Sequence, residues 1–116
     1  MQAEVKYFHS PDVENLDTWL PSSPDFSILL QVMVGPVGSD GEESFDILVC
    51  GSAWLARQLR LTGIFDGNHC LVVEHFDWYA LSSYLEQRVS EVSAPTWDEI
   101  ALSLSQLGKW EFSDYR

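Results

Sequence analysis

Apolar residues along this chain follow two rhythms, and the change from one to the other divides it. Up to about residue 50, and again at 70–73, they alternate with polar residues or run continuously for a few positions; beyond residue 77 they recur three or four apart. The first rhythm belongs to strands and the second to amphipathic helices. Residues 3–9 set Val5 and Tyr7 against Glu4, Lys6 and Phe8, which predicts a first strand ending at Ser10-Pro11-Asp12. That signal reads either as a plain turn or as the cap of a short helical turn through Leu16, since proline suits the first helical position. After a loop at 21–25, the two strongest strand signals cover 26–34 and 45–50. The former carries Phe26, Ile28, Leu30, Val32 and Val34 on one face and Leu29 and Met33 on the other, as a central strand does. The latter turns Phe45, Ile47 and Val49 inward and Ser44, Asp46 and Leu48 outward. The connector at 35–43 is rich in Gly, Pro, Ser and Asp, so it is expected to be an exposed loop presenting carboxylates between antiparallel strands.

The helical half begins at Ser52, a good N-cap for a short helix over 53–59 that offers Trp54, Leu55 and Leu59 for packing. Gly63 and Asp66-Gly67-Asn68 turn the chain into a fourth strand at 70–73. Asp77 then caps a helix with the stripe Trp78, Leu81, Leu85, Val89, and Pro95 breaks it. Thr96 with Glu99 forms a capping-box signature for a last helix, whose apolar face is Trp97, Ile100, Ala101, Leu104 and Leu107 and which Gly108 is placed to stop. In the tail, Trp110 and Phe112 alternate with Lys109, Glu111 and Ser113, as a final short strand or a clasp. Strands first and long helices last predict an α+β fold: one domain over 1–116, with a largely antiparallel sheet of four to five strands, two long C-terminal helices on one face and one short helix.

Charge changes the picture. Eighteen acidic residues against six basic ones give −12, and no Lys or Arg occurs between Lys6 and Arg57, where Asp12, Glu14, Asp17, Asp25, Asp40, Glu42, Glu43 and Asp46 fall. Such a field repels phosphate backbones and anionic lipid, which argues against nucleic acid or membrane as the direct partner, and it steers a basic protein inward. Solubility alone is the other reading of the same excess. The N-terminus has no basic and apolar leader pattern, no apolar run approaches the ~20 residues of a membrane span, and Cys50 and Cys70 imply no disulfide framework. A cytoplasmic protein with reduced thiols is expected.

Catalytic and metal chemistry find little to build on. His9, His69, Cys70 and His75 match no zinc spacing, and on one strand His69 and His75 lie about 20 Å apart at ~3.3 Å per residue. Cys50 sits in an apolar run, Glu42 and Glu43 are adjacent in a loop, and GPVGSDG lacks the ending of a phosphate loop. No cofactor, metal or catalytic residue is assigned. Trp54, Trp78 and Trp97 read as core, whereas Trp19 and Tyr115 are the candidates for exposure.

The segments FHSPDVENL, LLQVMVGPVGSDGEESFDILVC with the following WL, LVVEHFDW and TWDEIALSLSQLGKWEFSDYR together resemble the immunity protein 8 family of bacterial polymorphic toxin systems, from about His9 to Arg116. The most specific pieces are GEESFD at 41–46 and KWEFSDY at 109–115, neither of them catalytic. The resemblance implies a cytoplasmic antidote, not an enzyme, that binds the C-terminal domain of a cognate toxin, expected to be a basic nuclease; a monomeric free protein is favoured. Asp40, Glu42, Glu43 and Asp46, with Asp12, Glu14 and Asp17, are the expected contacts, and Trp19 the aromatic anchor. Two alternatives stay open: the interface lies on the helices or the tail, or the chain is a small enzyme or ligand-binding domain with a deep pocket of convergent polar groups.

Overall fold

Three long strands carry the framework. In the computed structural model, which describes residues 1–113, β1 (Ala3–His9), β2 (Ser27–Pro36) and β3 (Glu43–Gly51) form antiparallel neighbours. They are followed by α1 (Ser52–Thr62), β4 (Cys70–Val73), α2 (Trp78–Ser90), α3 (Trp97–Leu104) and β5 (Lys109–Trp110). The sheet order is β1-β2-β3-β4, with β5 also paired antiparallel to β3 at Phe45 and Asp46. Only β4 runs parallel to its neighbour, because α1 carries the chain back along β3 before it starts.

The alternation in β2 and β3 becomes a ladder of buried pairs, Ile28 with Val49, Leu30 with Ile47 and Val32 with Phe45. Leu81, Leu85 and Val89 of α2 and Ile100, Ala101 and Leu104 of α3 join the same core on that face. The outward positions Leu29, Met33 and Leu48 are only half-buried. At the β3–β4 end of the outer face, α1 sets Leu55 and Leu59 beside Cys70 and Val72. Among the described residues no helix is long and apolar enough to cross a membrane.

Several local expectations are modified. In β1 the register shifts between Val5 and Tyr7, so Lys6 is an extra, bulged residue. Val5 and Tyr7 therefore do not share a face: Val5 and Phe8 pack toward the core, and Tyr7 turns outward. Residues 10–16 form a turn-rich loop with no helix, in which the Asp12 N–H donates to Ser10 Oγ at 3.1 Å and Val13 is buried. Ser52 is the first residue of α1, and the N-cap is Gly51, without a side-chain bond. A Cβ there would sit 2.0 Å from the Pro24 carbonyl oxygen, so the close approach of that loop selects glycine. The helix read as short runs eleven residues to a left-handed Gly63, whereas α3 has only eight. It ends at Leu104, well before Gly108, because the Leu107 and Gly108 N–H groups fold back onto the Leu104 carbonyl and bring Gly108 against Phe45 and Ile47.

Candidate partner-binding surface

The bulge at Lys6 decides what the β1 edge presents. Turned outward, Tyr7 donates its hydroxyl proton to Glu42 at 3.0 Å, and the residue also lines a groove of about 570 Å³ together with Glu14 and Asp17. Tyr7, which the strand alternation set on one face with Val5, thus lies between the two acidic stretches, 12–17 and 40–42. The hydrogen bond to the Glu42 carboxylate pushes the pKa of the Tyr7 phenol above its ordinary value. Lys6, the sole Lys or Arg before Arg57, is turned onto the connector: its ammonium bonds Glu4 at 2.7 Å and the carbonyls of Pro36 and Ser39 at 3.1 and 2.5 Å. That contact holds the Glu4 carboxyl below the usual carboxylate range. It also fastens the loop whose carboxylates face solvent.

The expected contact residues divide. Asp40 and Glu42 are exposed on the connector, and Glu14 and Asp17 on the 10–17 loop. Asp12 is exposed, yet its carboxylate accepts the Leu29 N–H at 2.7 Å on β2, next to Gln31, the position paired with the last residue of β1. Glu43 is half-buried with both oxygens engaged: one accepts the Trp97 indole N–H and the other the Trp110 indole N–H at 2.8 Å. Its carboxylate ties α3 and β5 to the head of β3 instead of facing solvent. Asp46 is half-buried between Gln31 and Lys109 in the ladder, and among the described residues its Oδ1 is buried without a hydrogen-bond partner.

Trp19 corrects an expectation of exposure. It is half-buried, edge-on to Phe76 at 4.8 Å and Phe26 at 5.6 Å, because the loop after Asn15 folds back over the end of the sheet; Leu20 beside it is 82% exposed instead. Tyr115 lies outside the described residues. Trp54, Trp78 and Trp97 are half-buried. Tyr79, which helical spacing sets off the apolar stripe of α2, stands 81% exposed next to Trp78. Exposed aromatics at a helix start give no periodicity signal, and Tyr79 was missed for that reason.

The remaining polar groups are locally explained. Arg57 makes a two-pronged pair with Asp25, at 2.8 and 2.9 Å, that holds the Asp25 carboxyl below the usual carboxylate range. The Cys50 and Cys70 thiols touch at 3.8 Å, but their register partners are Val72 and Leu48, so they lie diagonally across the parallel pair. Burial pushes the Cys50 thiol up to about 12. Among the described residues no three His, Cys, Asp or Glu side chains converge as a metal-ligand set.

Compared with known proteins, residues 3–115 match the family described as immunity protein 8. No curated protein and no solved structure matches the chain.

Proposed function

The chain belongs to the immunity protein 8 family, and from that premise we propose that it neutralises its cognate toxin domain by covering it with the acidic edge formed by β1 and the loops at 10–17 and 37–42. The observation that supports this reading is the position of Tyr7, whose hydroxyl bonds the exposed Glu42 of the connector and which lines a groove with the exposed Glu14 and Asp17 of the other loop. Against that surface the nearest base, Lys6, is already paired with Glu4. An excess of carboxylates on loops that flank a strand edge complements a basic protein cleft. The toxin that best fits is a nuclease, whose phosphate-binding cleft is basic, and neutralisation would take place in the cytoplasm of the producing cell.

Glu43 serves this surface from within by holding α3 and β5 against β3, and Asp12 by bonding β2 near the end of β1; Asp46 lies in the ladder beside Lys109. Co-expression with the C-terminal domain of the toxin encoded beside this gene tests the proposal. A co-purifying complex and restored growth are expected, and both should weaken in Asp40→Lys/Glu42→Lys. A lethal toxin domain that never co-purifies would overturn it.

A further inference from the structure

Beside the proposed acidic edge the surface is cut by a groove with aromatic walls. Two adjoining depressions share Leu16, Asp17 and Trp78; the first is closed by Tyr7 and Glu14, the second by Trp19 and Tyr79. The Trp78 indole is held edge-on by Phe8 at 5.0 Å and nearly parallel to Phe76 at 6.3 Å, so the ring is fixed in place before any partner arrives. The rim carries Leu20 and Tyr79, large apolar groups turned almost entirely to solvent.

The carboxylates of the groove fall into two kinds. Asp77 is committed to capping α2, accepting the Ala80 N–H at 3.2 Å. Glu14 and Asp17 have no side-chain hydrogen bond or ion pair among the described residues, and no Lys or Arg lines the groove. Preorganised aromatic faces next to uncompensated carboxylates match one kind of side chain: a long apolar stem ending in a cation. Arginine suits it better than lysine, because a planar guanidinium can stack on an indole or phenol and still present a fork to a carboxylate.

Resting on the reading that the partner is a basic toxin domain, we infer that this groove seats an arginine side chain of that domain and is the anchor of the interface, with the 37–42 loop providing steering charge. Anchors sit in preformed pockets and govern dissociation, whereas rim charges govern association. The two parts of the edge should therefore separate kinetically.

The test has two arms. The first titrates the isotope-labelled protein with a tetra-arginine peptide and, in parallel, a tetra-lysine peptide. Shifts concentrated on the Trp78 indole N–H and the amides of Glu14, Asp17 and Tyr79, larger for arginine and absent in Glu14→Gln/Asp17→Asn, are expected. Shifts centred on Asp40 and Glu42, or spread evenly over the acidic residues, would overturn the inference. The second arm measures dissociation from the toxin domain encoded beside the gene. Tyr79→Ala and Glu14→Gln/Asp17→Asn should each speed dissociation about tenfold or more, while Glu86→Gln, an exposed carboxylate further along α2, leaves it unchanged. All these positions are exposed, and an unaltered far-ultraviolet spectrum confirms folding. Wild-type dissociation in the groove variants would overturn this inference alone; failure of the unaltered protein to bind the toxin domain would overturn the antidote reading as well.

Discussion

Glu43 differs from its neighbours Asp40 and Glu42 by a few residues of sequence and by everything it touches. Placed at the first position of β3, it accepts two indole N–H groups from segments more than fifty residues away, and so is withdrawn from the surface that the other two share. Composition marks all three as loop carboxylates; only the long-range fold separates them. Glu43→Ala strands both indole donors, and urea unfolding should show a loss of about 1–3 kcal/mol, against no measurable loss for Asp40→Ala. Trp19 fails in the same way, since its nearer ring partner, Phe76, is distant in sequence. Tyr7 gives a proton test. Its phenol is raised by the Glu42 carboxylate, so the native state favours the neutral form. The associated stability is fully present below the ordinary tyrosine value of about 10 and is lost as pH rises through the higher native value. Ultraviolet titration should find one tyrosine ionising late, returning toward the ordinary range in Glu42→Gln; no change in that variant would remove the Tyr7 junction.

Elements are where local chemistry was most legible. Asp77 capping α2, the Thr96–Glu99 box opening α3, Gly63 closing α1 and the 70–73 strand all follow from short-range signals, and each stands where the residues place it. Thr96→Ala should cost about 1 kcal/mol of unfolding free energy, the usual value of an N-cap. The bulge in β1 and the early end of α3 were not legible, because each answers to a neighbour: β1 to the register of β2, α3 to the space above Phe45 and Ile47. Gly51 belongs to the same class. Its extended N-cap backbone suits many residues, but the Pro24 carbonyl occupies the place of a Cβ. Gly51→Ala should therefore destabilise by about 1–3 kcal/mol through overpacking, with β3 and α1 losing amide-exchange protection together.

At the scale of the whole molecule, the run without Lys or Arg from residue 7 to 56 contains the loop carboxylates of the proposed docking edge, while Arg57 and Arg60 lie on α1. The docking edge proposed above would draw in a cationic surface over distances set by the Debye length. The most direct measurement is the association rate of the unaltered protein and of Asp40→Lys/Glu42→Lys with the toxin C-terminal domain, from about 0.05 to 0.5 M salt. A steep fall with salt for the unaltered protein, together with a slower and flatter dependence for the variant, is the expected result. An association rate indifferent both to salt and to these two charges would contradict an acidic docking edge and move the interface elsewhere on the fold.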